Sequence, residues 1–335
     1  MTGQTNAAAK LVAFDVTGDR WQKEVKTAIA RMTAHDFAGT PVGFVLDDTL
    51  SDFGKMLRPR LLLLCASLGP AWHAHQREAV ELAAMVELIH LASLIHDDIV
   101  DDARFRRGEP AIQSRYGKDA AVYAGDFIMA RVNYYQLKDG LNAPGAILAE
   151  AIEKMCAGEI GQARLRHRPD ATQAMYFENI KGKTGALFAA ACRIGAMTGG
   201  CAPEVIERLA RFGELLGILF QLRDDLLDFT AAPLEDGKDV CQDVREGIYT
   251  LPLLIALADD KAGEVLRPLL AANRKAPLDF EGIVAVRGII DSCSGLEQTR
   301  QAIRMYRDQA TAILDNFPSS HSLKRIKRLL AQLEV

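Results

Sequence analysis

Two long apolar segments, each ending in the pattern Asp-Asp-x-x-Asp, constrain this sequence more than any other feature. The segments cover residues 77–100 and 208–229, and apolar side chains occur nearly all round a helix in each of them. A helix that is apolar on every side is buried inside a bundle rather than laid on its surface. The pair therefore predicts an α-helical protein in which two core helices end in carboxylates.

Glycine and proline punctuate the rest of the sequence, and apolar residues recur at spacings of three and four between these breaks. This periodicity predicts further helices. They cover residues 20–34, 57–68, 118–138, 145–166, 183–198, 250–272, 279–291 and 295–334, the last with a polar break near Pro318. Because no low-complexity linker or fixed-period repeat divides the sequence, we predict one all-α domain over residues 1–335, with an irregular N-terminal segment over 1–18.

Composition excludes several classes of protein. The chain has 40 Lys and Arg residues against 44 Asp and Glu residues, so no basic field is available to hold nucleic acid. Its six cysteines include no Cys-x-x-Cys pair, which argues against a zinc site or a disulfide framework. The best apolar run, Leu61 to Leu68, is too short to span a bilayer. We therefore expect a cytoplasmic protein with no nucleic-acid partner and no transmembrane segment.

The two acidic clusters have the composition of a metal site. Their six aspartates are Asp97, Asp98, Asp101, Asp224, Asp225 and Asp228. The first and third aspartates of each cluster are four residues apart and share one helical face, while the second lies to one side. One such cluster would more often be solvated surface, but two matching clusters behind apolar helices favour a bound cation. Mg²⁺ is the hard cation that takes oxygen ligands and shares its shell with water and phosphates.

Basic residues accompany both clusters. They are Lys55, Arg58, Arg106, Arg107, Lys183 and Lys238. Arginine binds phosphate oxygens bidentately and lysine supplies a point charge, so aspartates bridged by Mg²⁺ and ringed by these cations predict a diphosphate site. Any one of these basic residues alone would more often be solvated surface.

These motifs closely resemble those of the trans-type isoprenyl diphosphate synthases. The matching stretches are Glu87-Leu88-Ile89-His90, Asp97-Asp98 with Asp101, Arg106-Arg107-Gly108, Gln221 before Asp224-Asp225, Gly237-Lys238 and Thr250-Leu251-Pro252. The resemblance implies an isoprenoid-synthase-type helical bundle around a central apolar cavity. It also implies a homodimeric prenyltransferase that condenses isopentenyl diphosphate with an allylic diphosphate and releases pyrophosphate.

The resemblance implies a role for each candidate residue. All six aspartates would hold Mg²⁺ on the allylic diphosphate, which would also be bound by Arg106, Lys183, Thr184, Gln221 and Lys238. Thr184 and Gln221 match positions beside the nascent carbocation. Isopentenyl diphosphate would be bound by Lys55, Arg58, His90 and Arg107. Without the resemblance, Thr184 would be a helix N-terminal hydroxyl, Gln221 a buried hydrogen-bonding residue and His90 a packed core histidine.

Product length should depend on the helix that ends at Asp97. Short-chain members of the family have an aromatic residue four or five positions before the first aspartate, where this sequence has Ser93 and Ala92. Ile89, one turn further back, is apolar without a ring. One helical turn rises about 5.4 Å, close to one extended isoprene unit, so successive turns act as a ruler. We expect a trans-polyprenyl product of C20 or longer, with the tunnel floor formed by residues 127–135 or by Leu148.

Three positions depart from the family pattern. Met56 stands where a basic residue often follows the lysine of the Gly-Lys stretch, and Cys241 stands where glycine is usual, which predicts a less compact loop. Ile248 replaces a frequent lysine, so one expected cation for the leaving group is missing. Either Lys238 and Arg245 suffice, or the allylic diphosphate is held more weakly.

Three other functions compete with a self-sufficient synthase. A class I terpene cyclase also ionises an allylic diphosphate, but the residues expected to bind isopentenyl diphosphate and the second Asp-Asp-x-x-Asp argue against it. A regulatory subunit without activity would be expected to lose aspartates that this chain has kept. A catalytic subunit that requires an unlike partner, as part of a heteromeric long-chain synthase, stays open.

Overall fold

The computed structural model describes residues 20–51, 53–230, 241–274 and 276–333. These residues form α1 (Arg20–Thr33), α2 (Pro41–Thr49), α3 (Leu57–Ala66), α4 (Trp72–Val100), α5 (Ile112–Tyr116), α6 (Lys118–Lys138), α7 (Asn142–Arg164), α8 (Gln173–Ile180), α9 (Ala186–Thr198), α10 (Pro203–Thr230), α11 (Gln242–Arg245), α12 (Leu251–Ala258), α13 (Asp260–Asn273), α14 (Phe280–Ser292), α15 (Gly295–Asp315) and α16 (His321–Ala331). The predicted all-α class is confirmed. The predicted N-terminal segment, residues 1–18, lies outside the described residues.

Two of the predicted helices are divided. The predicted helix over 250–272 breaks at Asp259, whose extended backbone and side-chain bond from the Ala262 N–H cap a new helix. The predicted helix over 295–334 ends at Asp315 and restarts at His321, around the expected break. The short helices α2, α5, α8 and α11 were not predicted, because so few turns give little periodicity.

The helices α4 and α10 lie in the core, as their all-round apolar pattern predicted. Leu82, Met85 and Leu88 of α4 are fully buried, as are Phe212 and Leu219 of α10. The helix α9 packs against both α3 and α10, while α4 packs against α3, α6 and α9. The two helices that end in aspartates are therefore held in one bundle.

The helix α4 is also long and apolar enough to cross a membrane by length and composition alone. However, 67% of its most apolar window is buried inside the bundle. Its apolar surface is used for packing against other helices. No other helix in the described part of the chain meets the same criteria.

The Arg-Arg-Gly stretch lies in a small β-hairpin, in which β1 (Phe105–Arg106) pairs antiparallel with β2 (Glu109–Pro110). The two turn residues, Arg107 and Gly108, have φ of 53° and 88°. Positive φ at both central residues is what a tight two-residue hairpin of right-handed twist requires. Strands of two residues are too short to give an alternating pattern, so the sequence did not predict them.

Candidate active site

A π-helical turn, Lys181–Gly185, connects α8 to α9 and bears Lys183. A Cβ atom at Gly158 of α7 would lie 2.4 Å from the Lys183 backbone nitrogen, so only glycine lets α7 lie this close. The Lys183 ammonium donates to Glu159 Oε2 at 3.0 Å and to Gln162 Oε1 at 2.9 Å. Isolated π turns are frequent at functional sites. This one fixes the lysine against two polar residues of α7.

Negative charge accumulates around Asp97, beside this lysine. Burial, together with the neighbouring Glu159 and Asp101 carboxylates, raises the pKa of Asp97 to about 7 against the opposing Lys183 charge. Burial alone would lower the pKa of Lys183, but Glu159 and Asp97 hold it above its ordinary value. The ammonium is therefore charged, and the carboxylates around it outnumber it.

The other two aspartates of the first cluster are paired with arginines. Arg106 of the hairpin donates to Asp98 Oδ1 and Oδ2 from Nε at 2.8 Å, and from Nη2 to Oδ1 at 2.6 Å. Asp98 is buried, and its oxygens are engaged by this fork. Arg166, which follows α7, donates from Nη2 to Asp101 Oδ1 at 2.5 Å. The cluster thus has one buried pair and one partly exposed pair.

A chain of hydrogen bonds joins the π turn to the second cluster. The Thr184 hydroxyl donates to Gln221 Oε1 at 2.8 Å, and Gln221 Nε2 donates to Asp225 Oδ1 at 2.8 Å. The Tyr176 hydroxyl donates to Asp225 Oδ2 at 2.5 Å. Burial raises the pKa of Asp225 to about 6, although the bonds from Tyr176 and Gln221 oppose the shift. Both oxygens of Asp225 therefore have protein partners.

Asp228 and Asp243 form the outer part of the second cluster. The backbone N–H groups of Gln242 and Asp243 donate to Asp228 Oδ1 at 3.1 Å and Oδ2 at 3.4 Å. Burial, together with the charges of Asp225 and Asp228, raises the pKa of Asp243 well above its ordinary value. Asp243 is thus a fourth carboxylate of this cluster, one that was not predicted from the sequence.

Cys241 directly precedes α11 and has φ of 56°. This left-handed conformation favours glycine, the residue that the family resemblance led us to expect here. The Cys241 N–H donates to the Asp228 carbonyl at 3.1 Å, and the side chain is fully buried. The loop predicted to be less compact is therefore closely packed at this residue.

The residues predicted to bind isopentenyl diphosphate also bring several cations close together. The Arg58 guanidinium lies 4.4 Å from the centre of the Phe188 ring, and burial lowers the pKa of Arg58 to about 10 against the charges of Glu87 and Asp224. Burial, followed by the charges of Arg58, Arg107 and Arg106, lowers the pKa of His90 well below its ordinary value. His90 is therefore a neutral imidazole beside three arginines.

Lys55 and Gly54 belong to the same group of predicted binding residues and their surroundings. The charges of Lys55 and Arg58 act on Asp224, whose pKa burial raises and these cations lower. A Cβ atom at Gly54 would lie 2.4 Å from the Arg107 guanidinium, so the absence of a side chain allows the arginine to approach. Three of the predicted binding residues, Arg58, His90 and Arg107, are brought together, and Lys55 lies near Asp224.

Glu87 is a buried carboxylate among these cations, with only 4% of its surface exposed. Within the described residues, its Oε2 atom has no hydrogen-bond donor. Burial raises the pKa of Glu87 to about 7, while Arg58 and Arg107 pull it down. Glu87 begins the stretch Glu87-Leu88-Ile89-His90, in which only His90 was predicted to bind substrate.

Glu87 gives protein stability a predictable dependence on pH. The carboxyl keeps its proton in the folded chain up to a pH of about 7, whereas an unfolded glutamate loses it near a pH of about 4.3. The folded state binds more protons between these values, so the free energy of unfolding falls as pH rises, by up to about 1.4 kcal/mol per pH unit. Thermal unfolding between about pH 5 and 8 should show the wild type losing stability relative to Glu87→Gln. A difference that does not change with pH would contradict this.

The carboxylates of the two clusters offer oxygen ligands of the kind that a divalent cation takes. Burial raises the pKa of Asp97, Asp224, Asp225, Asp228 and Asp243, which indicates that the protein alone supplies too little positive charge around them. Among the described residues, no three candidate ligands converge closely enough to enclose a metal without other groups. An ion that takes part of its shell from water and phosphate oxygens, as Mg²⁺ does, suits this open arrangement.

The residues predicted to control product length lie on α4 behind Asp97. Ala92 and Ile89 are each 1% exposed, and Ser93 is half-buried with its hydroxyl donating to the His90 carbonyl at 2.8 Å. Ile89, Ser93 and Asp97 follow each other at intervals of four and share one helical face. Lys238, predicted to bind the allylic diphosphate, lies outside the described residues.

Several polar residues of the site were missed by the sequence analysis. They are Glu159, Gln162, Arg166, Tyr176 and Asp243. Glu159 and Gln162 are three residues apart in a predicted helix, and that spacing could have marked them as one polar face. Tyr176 and Arg166 reach the aspartates only through the tertiary fold, so no local pattern marks them.

Known proteins resemble this chain over most of its length. The model of the polyprenyl synthetase family matches residues 42–286. Component 2 of the heptaprenyl diphosphate synthase of Geobacillus stearothermophilus is 34% identical over 283 residues, covering 84% of this chain and 86% of that protein. The octaprenyl diphosphate synthase of Escherichia coli is 33% identical over 309 residues, covering 87% and 93%. A polyprenyl synthase from Caulobacter crescentus, crystallised with calcium and isoprenyl diphosphate, has a TM-score of 0.83 at 32% identity over 94% of each chain.

Proposed function

The chain belongs to the polyprenyl synthetase family, and from this membership we propose how its residues perform the reaction. It is a polyprenyl diphosphate synthase, a transferase that condenses isopentenyl diphosphate with an allylic diphosphate. The related heptaprenyl and octaprenyl synthases support a product of C20 or longer.

We propose that the six aspartates act in two ways. Asp97, Asp101, Asp224 and Asp228 would offer oxygens to Mg²⁺. Asp98 and Asp225, whose oxygens are engaged by Arg106 and by Tyr176 with Gln221, would fix the ends of the two helices. When bound there, Mg²⁺ would neutralise the charge that develops on the departing diphosphate. The calcium and isoprenyl diphosphate in the Caulobacter relative support a divalent cation and a prenyl diphosphate as ligands here.

The position of Lys183 is the main support for one site shared by the two aspartate clusters. Its charge acts on Asp97 and Asp101 of the first cluster and also on Asp243 of the second. One ammonium therefore lies close to both clusters, where an allylic diphosphate would meet it. Arg106 and Lys238 would add to this charge.

Thr184 and Gln221 would stabilise the allylic cation. The Thr184 hydroxyl donates a hydrogen bond to Gln221 Oε1, so its oxygen lone pairs form the negative end of a fixed dipole. A dipole lowers the energy of a nearby cation without the covalent attack that a carboxylate could make. The C–O bond of the allylic substrate would break with its electron pair leaving on the diphosphate.

Lys55, Arg58, His90 and Arg107 would bind the diphosphate of isopentenyl diphosphate. His90 is uncharged and can donate one N–H to a phosphate oxygen, while the lysine and the arginines supply charge. The double bond of the bound substrate would attack the allylic cation to form the new C–C bond. A proton then leaves, and the released pyrophosphate is the base we propose.

A homodimer is the proposed assembly. The helix α6 exposes Tyr123, Tyr134 and Leu137 on one face, with 72%, 52% and 77% of their surfaces accessible. Large apolar side chains grouped on one helical face are a common feature of protein interfaces. We further propose that the enzyme acts in the cytoplasm.

A heteromeric synthase is the second candidate. The Geobacillus relative is named as component 2 of its synthase, which supports an assembly with an unlike partner. In that case this chain would supply the catalytic residues and the partner would complete the active assembly.

The test is to incubate the purified chain with Mg²⁺, labelled isopentenyl diphosphate and either farnesyl or geranylgeranyl diphosphate, and to size the extracted products. We expect products of C20 or longer from the chain alone. A chain that is inactive alone and active with an added partner would favour the heteromer. Products that contain no isopentenyl carbon would contradict the proposal and favour a terpene cyclase.

A further inference from the structure

Arg166 contacts the first aspartate cluster from a loop that neither the motifs nor the family resemblance mark. Its guanidinium pairs with Asp101, and both side chains are about one-third exposed, at 32% and 35%. Arg168, two residues later, instead pairs with Asp170 on the exposed surface. Arg166 is therefore directed at the site, and its neighbour is not.

The loop that bears Arg166 is anchored on the side of the second aspartate cluster. The His167 N–H donates to the Gly247 carbonyl at 2.8 Å. A Cβ atom at Gly247 would lie 2.5 Å from the His167 ring, so the ring packs directly on this glycine. The backbone of Arg166 is thus fixed beside residues 247–248, while its side chain reaches Asp101 at the end of α4. Arg166 therefore reaches the first cluster from a backbone segment that is anchored four residues after Asp243.

Arg166 is a candidate for the leaving-group cation that was expected at Ile248 and is missing there. Ile248, next to Gly247, stands where a lysine was expected for the leaving group. Arg166 directly precedes His167, whose N–H is bonded to Gly247, and its guanidinium pairs with Asp101. An arginine can hold phosphate oxygens with two parallel bonds, which a lysine cannot do.

Arg166 also has an N–H group that its ion pair with Asp101 does not use. One Nη atom binds Asp101, while Nε is buried and has no acceptor within the described part of the chain. A buried donor without a partner costs free energy, so an oxygen-rich ligand that reached it would gain a bond at little extra cost. A divalent cation bound to Asp101, as proposed above, would compete with Arg166 for this carboxylate.

We propose that Arg166 is a further binding residue for the allylic diphosphate, resting on Asp101 in the free enzyme and moving to phosphate oxygens when the substrate and its divalent cations fill the site. This inference rests on the proposed function. The competing explanation is a purely structural ion pair that holds the loop after α7.

Binding experiments separate the two explanations. Wild type, Arg166→Gln, Arg166→Lys and the control Arg168→Gln are titrated calorimetrically with Mg²⁺ alone and then with inorganic pyrophosphate in excess Mg²⁺. Loss of a charged hydrogen-bond donor should weaken pyrophosphate binding by Arg166→Gln about tenfold or more. Mg²⁺ alone should bind this variant as well as the wild type or better, because no arginine competes for Asp101. Arg166→Lys should fall between the two, and Arg168→Gln should match the wild type.

Steady-state kinetics provide a second measurement. Arg166→Gln should raise KM for the allylic substrate about tenfold, with KM for isopentenyl diphosphate unchanged. Unchanged pyrophosphate binding would overturn the inference. Equal weakening of Mg²⁺ and pyrophosphate, with a lower melting temperature, would also overturn it in favour of the structural ion pair. A wild type that does not turn over contradicts the proposed function instead, and the pyrophosphate titrations still report on Arg166.

Discussion

Replacing Asp97 with asparagine is expected to lower kcat by about 10²- to 10³-fold, the usual loss when one preorganised electrostatic contact to a transition state is removed. Asparagine keeps the shape of the side chain and removes its charge, so the site would hold its divalent cation more weakly. Burial already raises the pKa of Asp97 to about 7. Neutralising this side chain therefore relieves buried charge, and the melting temperature should not fall.

Asp102→Asn is the matched control for this prediction. Asp102 follows the first cluster directly, is exposed and pairs with Lys118 at 2.8 Å. Its φ of 51° is left-handed, a conformation that asparagine also tolerates. Initial rates at saturating substrates should fall for Asp97→Asn alone. Equal rates for the two variants would contradict the role proposed for Asp97.

Replacing Ser93 with phenylalanine is expected to shorten the product by at least one isoprene unit. Ser93 lies one turn before Asp97 on the same face of α4, and a turn rises about 5.4 Å, close to the length of one unit. A ring at this position would stand in the path of a chain that grows back along the helix. The reaction itself should continue, because no residue proposed to bind either diphosphate is changed.

Chromatographic sizing of the dephosphorylated products tests this expectation, with Ser93→Ala as the control of small volume. Ser93→Ala removes the hydroxyl that bonds the His90 carbonyl without adding bulk, so its product should match that of the wild type. Equal product lengths for Ser93→Phe and wild type would mean that the tunnel does not pass this turn. Variants of Leu148, which is fully buried, would then be the next test.

The sequence predicted those parts of the site that depend on one helix. The spacing of Asp97 and Asp101 places both on one face of α4 wherever the rest of the chain goes. Asp243 is different, because it joins the second cluster only when the chain returns to the end of α10 and donates N–H groups to Asp228. Such a return leaves no periodic pattern, so it could not be predicted.

Arg106 and Arg166 differ in how far their contacts could be predicted from the sequence. Arg106 could be predicted because its position follows a recognisable motif, yet its fork on Asp98 depends on a hairpin too short to produce an alternating pattern. Arg166 reaches Asp101 across 65 residues of sequence, through a loop anchored at Gly247. Contacts of this kind become visible only when the packing of separate segments is known.

The hairpin turn has a consequence for how the two substrates bind. Arg106 and Arg107, proposed for different diphosphates, are neighbours in the chain, and one turn with positive φ at Arg107 and Gly108 sets both conformations. Such a turn has few alternatives. A shift that suits one diphosphate would therefore displace the arginine proposed for the other. We expect the two affinities to be thermodynamically linked, with each substrate changing the affinity for the other by the same factor.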